Sequence, residues 1–416
     1  MWSSEIEPFP IRVTEKRLPS VKHYGDVSKL NVADLEPVDV ITFGSPCQDM
    51  SIAGKRAGLD GARSGLFFQA VRIIKEMRAK YGKPRYAVWE NVRGALSSAG
   101  GEDFRRVLEE LCRIKDDVVD VPRPPKEKWQ SAGCVMGDGY SIAWRVLDAQ
   151  YWGVPQRRKR VYLVADFDGG SAGKILFESE GVSGHSEKMQ SARKDFARCA
   201  QGSIGEPGWG KEVLNDQGGS PACNQGGMLV LFDNHSQDSR YNGPLKLSPS
   251  LNTQLGTGGN NAPLVCVPDT EVISLAGKPR HTHVSAGVAM TLNAADWKDP
   301  PAVYRPPVVN ADWRVRMITP LECARLQGFP DWWTDCLTDE NPSDEEVQKW
   351  QGIFDEWCDI SGKKRKTASQ VRKWLMTEPT DAAKYKMWGN GVALPCVVFV
   401  LAGIAAIAQQ EKNITK

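Results

Sequence analysis

A cysteine stands at position 47, on the loop Gly44-Ser45-Pro46-Cys47-Gln48, directly after the apolar run Val38, Val40, Ile41 and Phe43. A β-branched run that breaks into Gly-Ser-Pro reads as a buried strand ending in a tight loop, so the thiol sits at a strand's carboxyl end. Open α/β sheets place their chemistry there. A second apolar run, Tyr86-Ala87-Val88-Trp89, ends in Glu90-Asn91-Val92 in the same way. Two reactive groups on neighbouring strand ends can face one pocket. A thiol is a strong nucleophile only as thiolate, and free cysteine titrates at about 8.5, so Cys47 needs a positive setting. Gln156-Arg157-Arg158-Lys159-Arg160 offers one, between the segments 144–148 and 161–165, which read as an antiparallel strand pair. A solvated basic turn is the plainer reading of such a run.

The whole chain narrows the setting for these groups. Its 416 residues leave room for two domains. A net charge of +2 announces no nucleic-acid partner, so any basic surface must be local. Ten cysteines without a Cys-x-x-Cys pair, beside five histidines, argue against zinc or a disulfide framework, and no metal is expected. A reduced, cytoplasmic location fits that usage. Met1-Trp2-Ser3-Ser4-Glu5 has neither a basic nor an apolar stretch and does not read as a signal peptide. Residues 392–408 are apolar but short of the roughly 20 residues that a span needs, so a buried helix and no membrane partner are expected.

Pro46-Cys47-Gln48, Glu90-Asn91-Val92, the Gln-x-Arg-x-Arg pattern from Gln156, the stretch Arg316 to Pro330 and Gly389-Asn390-Gly391 follow one another in an order that resembles the cytosine-5 DNA methyltransferases. The resemblance implies an α/β, Rossmann-like class I methyltransferase sheet over residues 1–166. A smaller, irregular target-recognition domain with a helical insertion would cover 167–384, and residues 385–416 would pack back on the first domain. It implies transfer of a methyl group from S-adenosylmethionine to C5 of cytosine in a specific sequence of double-stranded DNA. Cytosine C5 is a poor nucleophile, so Cys47 would first add to C6, with Glu90 bonding N3 and the exocyclic amine and with Arg158 and Arg160 supplying positive charge. Both ring atoms are buried in a duplex, so the base would be flipped out at a cost of a few kcal/mol.

By the same resemblance Glu5 takes the ribose hydroxyls of the cofactor, Ile6 packs on its adenine, and Asp26 and Val27 meet the adenine edge. Pro46, Asn390 and Gly391 complete that set. Gln48 and Ser51, on a glycine-rich loop, would close over the DNA, and Thr291-Leu292 would belong to the recognition region. A restriction-modification setting with a cognate endonuclease and a monomeric state accompany the family.

One part of the family pattern is absent: the Phe-x-Gly-x-Gly strand and loop expected ahead of Glu5 is not in this sequence. It would supply the first, central strand and the backbone N–H groups around the methionine end of the cofactor. The expectation is a sheet without that strand and a chain that binds S-adenosylmethionine weakly or not at all. The alternative function is a catalytically impaired, N-terminally truncated DNA-binding remnant. Between 166 and 304 the composition turns to Gly, Ser, Asn and Gln, which marks loops and short strands. Residues 343–361 and 368–375 read as an inserted helical pair, and Lys363-Lys364-Arg365-Lys366 between them as a linker or a phosphate contact.

Overall fold

The computed structural model describes residues 1–45, 65–124, 127–154, 156–177, 230–234, 241–245, 248–251, 264–269, 274–275, 302–303 and 312–414. The chain opens with β1 (Trp2–Ser3), α1 (Pro8–Arg17) and β2 (Lys22–His23), the two short strands pairing in parallel. Next come β3 (Val40–Gly44), α2 (Leu66–Tyr81), β4 (Tyr86–Val92) and α3 (Glu102–Cys112), then β5 (Ala132–Gly137), β6 (Tyr140–Asp148) and β7 (Lys159–Asp166). These strands form one sheet in the order β3-β4-β7-β6-β5. β3 and β4 run parallel, and β7, β6 and β5 are antiparallel to their neighbours. This is the expected α/β, Rossmann-like arrangement.

The sheet forms here because β4 and β7 are apolar along their length and sit at its centre, where both faces are covered. Side chains alternate across β4. Ala87 and Trp89 join the cluster under α2 and α3, which contribute Phe67, Ile74, Met77, Phe104, Val107 and Leu111. Tyr86 and Val88 join the opposite cluster. That second face is closed by α4 (Ala172–Leu176) and by the last helix through Cys396, Phe399, Val400 and Ile404. Gly82 ends α2 at φ +66°, a left-handed cap that returns its N–H to the Arg78 carbonyl.

Among the described residues the sheet is divided: β3 has a strand neighbour on one side only, and β1 with β2 forms a separate two-stranded sheet. Trp2 of β1 and Phe43 of β3 nevertheless rest on the same core cluster.

Beyond residue 177 the described elements change character. β8 (Val230–Asn234), β9 (Tyr241–Leu245), β10 (Leu264–Asp269) and β11 (Asp312–Met317) make an antiparallel sheet in the order β11-β10-β8-β9. α5 (Pro320–Leu326) starts at a capping box in which Thr319 and Glu322 satisfy each other's backbone N–H. Then follow α6 (Asp344–Ser361), α7 (Ala368–Met376), α8 (Asp381–Asn390) and α9 (Leu394–Ile414).

The helical pair expected as an insertion packs on the start of the chain: Val347, Trp350, Phe354, Val371 and Leu375 of α6 and α7 cluster with Ile11 of α1. Buried Arg12 of α1 locks the contact by donating to the carbonyls of Leu337, Trp374 and Leu375. Likewise α4 lies past the 166 boundary and still belongs to the core under the main sheet. The expected burial of the last helix holds for one face: Phe399 stacks on Trp152 with ring centroids 4.2 Å apart, while Val398 and Leu401 are exposed. Among the described residues it is the one helix long and apolar enough to cross a membrane.

Candidate active site

At the carboxyl end of β4 the register sets Gly44 beside Glu90, Tyr162 opposite Glu90, and Arg160 opposite Val92. The chain therefore leaves β3 next to the Glu90 carboxylate. Its direction is fixed at Ser45, whose hydroxyl accepts from Trp89 Nε1 at 3.1 Å and whose carbonyl accepts from Asn91 Nδ2 at 2.8 Å. Asn91 thus has a structural task between two strand ends. Pro46, Cys47, Gln48 and Ser51, with Thr291 and Leu292, lie outside the described residues.

Glu90 Oε1 lies 3.3 Å from Arg160 Nε, and both side chains are mostly shielded. That oxygen has no hydrogen bond among the described residues. Burial pushes the Glu90 carboxyl above its ordinary range, against the pull of Arg158 and Arg160. Burial favours the protonated form of this carboxyl, the form that can donate to a ring nitrogen.

Arg158 has a different place from the one its neighbours in sequence suggest. It is buried, and its Nη1 donates to the Leu251 carbonyl at 3.0 Å while Nη2 donates to the Gly391 carbonyl at 2.5 Å. Burial first, and Arg160 second, lower its pKa to about 10. A guanidinium committed to two carbonyls is a tie between chain segments, a structural task beside the positive charge expected of it. Residues 248–251 are held at the same spot. The Arg157 N–H donates to the Ser248 carbonyl and the Ser250 hydroxyl donates to the Arg157 carbonyl, each at 2.9 Å. The fully buried Gln156 bridges Ser248 in parallel. Sequence reasoning missed this junction, because residues 248–251 lie in a stretch read only as loops and short strands.

Of the residues expected at the nucleoside end, Glu5 and Ile6 follow β1, and Asp26 and Val27 follow β2. Glu5 Oε1 accepts from the N–H groups of Ile6 and Glu7, both at 2.8 Å, and burial raises its carboxyl pKa with those two bonds opposing. Ser4 Oγ donates to the Gly25 carbonyl at 2.6 Å, which sets the Glu5 loop against Gly25-Asp26-Val27. Asp26 caps the short turn Val27–Lys29 by accepting from the Ser28 N–H at 2.9 Å. Lys386 of α8 pairs with Glu7 at 2.7 Å, which fastens to this loop the helix that ends at Asn390. Among the described residues Glu5 engages one carboxylate oxygen, and Ile6 and Val27 are half-buried. A carboxylate with a free oxygen beside two partly exposed apolar side chains fits a nucleoside: the oxygen accepts from hydroxyls and the apolar surface takes a ring. No group of ligands suited to a metal occurs among the described residues.

The sequence profile of the C-5 cytosine-specific DNA methylases matches residues 1–115 and 135–191. The chain is 30% identical over 466 aligned positions to the DNA N-6-adenine-methyltransferase of Escherichia phage P1, covering 100% of this chain and 59% of that protein. It is 32% identical over 163 residues to the type II methyltransferase M.NgoBV of Neisseria gonorrhoeae, covering 39% of this chain and 33% of the relative. The orphan methyltransferase M.Rho11sI of Bacillus phage rho11s is 31% identical over 142 residues, 34% of this chain and 22% of its own length. The chain thus spans less than two thirds of the length of each of these relatives.

Proposed function

The chain belongs to the C5 cytosine DNA methyltransferase family, and from that premise we propose that it methylates carbon 5 of a cytosine within a specific sequence of double-stranded DNA. The observation that carries the proposal is the Glu90–Arg160 pair at the strand end where β3 departs toward Cys47. When bound, S-adenosylmethionine supplies an electrophilic methyl group. Protonated Glu90 donates to N3 of the flipped base and holds the exocyclic amine, and Arg160 fixes the orientation of Glu90. The Cys47 thiolate adds to C6, and the electron density that Glu90 stabilises on the ring makes C5 the nucleophile that accepts the methyl. Loss of the C5 proton to water then expels Cys47 from C6 as thiolate, and N3 returns its proton to Glu90.

The name of the phage P1 relative specifies adenine N6. An exocyclic amine carries its own lone pair and needs no covalent activation of the ring, so a cysteine, a desolvated glutamate and an arginine on adjacent strand ends suit carbon methylation better. Glu5, Ile6, Asp26, Val27 and Asn390 would hold the nucleoside end of the cofactor, with Pro46 and Gly391. Gln48, Ser51, Thr291 and Leu292 would meet DNA. A monomer acting in the cytoplasm, within a restriction-modification system and beside a cognate endonuclease, completes the reading. A duplex carrying 5-fluorocytosine tests it, because loss of the C5 proton is blocked. A covalent adduct is expected with the native chain and none with Cys47→Ala. An adduct that survives the substitution, or methyl transfer to adenine, overturns the proposal.

A second reading is favoured by the divided sheet: the chain binds DNA but holds the cofactor too weakly to turn over. Titration calorimetry with S-adenosylmethionine separates the two, and a dissociation constant in the millimolar range or weaker supports the second.

A further inference from the structure

We infer that the inserted helical pair α6 and α7 clamps the purine end of the candidate cofactor site, with Glu356 as the positioning residue. The inference rests on the reading of Glu5, Ile6, Asp26 and Val27 as the nucleoside-binding set. Gly25 has φ +68°, and a β-carbon at that position would collide with the Glu356 carboxylate. The left-handed backbone favours glycine there, and the absent side chain leaves room for the Glu356 carboxylate to lie against the turn. Glu356 Oε1 also pairs with Lys29 Nζ at 2.9 Å. The turn Val27–Lys29 is thus held at both ends, by the Asp26 carboxylate at its start and by Glu356 at its close.

The same helices also hold the second wall. α1 begins directly after Glu7, and its Ile11 packs among Val347, Trp350 and Phe354 of α6. Arg12 stacks over Trp374 at 4.6 Å, and Lys349 pairs with Glu15 at 2.8 Å. The Glu5 loop and the Gly25-Asp26-Val27 loop are therefore both referred to one rigid helical unit, although neither is part of it. Two loops that must face each other across a ring gain affinity when their separation is set beforehand, because less order is imposed on binding. Among the described residues, the contacts of α6 and α7 given above do not include Glu90 or Arg160. The clamp acts on cofactor affinity and leaves the chemical step alone.

The test uses the full chain and two independent readouts: binding of S-adenosylhomocysteine by calorimetry, and kcat with KM for S-adenosylmethionine. Glu356→Lys sets like charge against Lys29 and bulk against Gly25. It is expected to weaken S-adenosylhomocysteine binding and raise KM by about tenfold, with kcat within about twofold. Lys29→Met, at a mostly exposed position that does not endanger folding, is expected to raise both by about threefold. Combining Glu356→Lys with Lys29→Glu restores opposite charges and should recover a large part of the lost affinity. Unchanged binding and KM in Glu356→Lys, or a fall in kcat at constant KM, overturns the clamp while leaving the proposed function standing. Failure of the unsubstituted chain to bind S-adenosylhomocysteine at millimolar concentration removes the cofactor reading of these loops, and the clamp with it.

Discussion

Glu90 and the two arginines near it show how position decides the use of a charge. Burial lifts the Glu90 carboxyl, so charging it costs the folded state more than the unfolded one. Its favourable contribution is therefore full below about pH 4.5 and is lost as the pH rises through its higher folded value. Glu90→Gln, neutral at every pH, should cost about 10²-fold or more in kcat. The stability difference between native chain and variant should favour the native chain most in acid and shrink toward neutrality, as melting temperatures across pH 3.5 to 8 would reveal. A large loss of stability at pH 8 with unchanged rate would make Glu90 a structural residue. Arg158 and Arg160 separate in the same way. Removing buried Arg158 strands the carbonyls of Leu251 and Gly391, so Arg158→Ala should lower stability by about 2 to 5 kcal/mol in denaturant titration. Arg160→Ala should cost less stability than Arg158→Ala and should lower the rate, because its partner is the Glu90 carboxylate and not two chain segments. The reverse ranking would contradict these assignments. The sequence could not distinguish the two arginines: a basic run promises exposure, and the carbonyls that bury Arg158 come from residues 93 and 233 positions away.

At the level of elements, what was legible is what neighbours along the chain decide. β4 and β7 announce themselves as apolar runs, and α6 and α7 by their periodicity and by the Ser343–Glu346 and Thr367–Gln370 capping boxes. Where a helix docks is set by its partner's surface, and Ile11 of α1 gives no hint in sequence that it awaits Trp350 and Phe354. The last helix was legible as apolar, but its two unlike faces follow from a sheet that covers only one. That face includes Phe399, fully buried against Trp152. Phe399→Ala should cost about 3 to 5 kcal/mol. Val398→Ala, at a half-exposed position, should cost well under 1 kcal/mol, and equal losses in chemical denaturation would mean that the helix is not docked as described.

Taken whole, the molecule converges on one junction between segments that are far apart in the chain. Arg158, at the entry to β7, donates to the carbonyls of Leu251 and of Gly391 in the turn before α9. Gln327, which follows α5, joins the same turn by donating from Nε2 to the Trp388 carbonyl and by accepting from the Leu394 N–H. A chain made from its first residue to its last has Cys47, Glu90 and Arg160 in hand long before Gly391 exists. Until then the Arg158 guanidinium lacks one of its two carbonyls, and the core under Tyr162 lacks the helix that covers it. During synthesis the strands can pair early, yet the face of the sheet that carries Tyr162 is covered only when the final helix arrives.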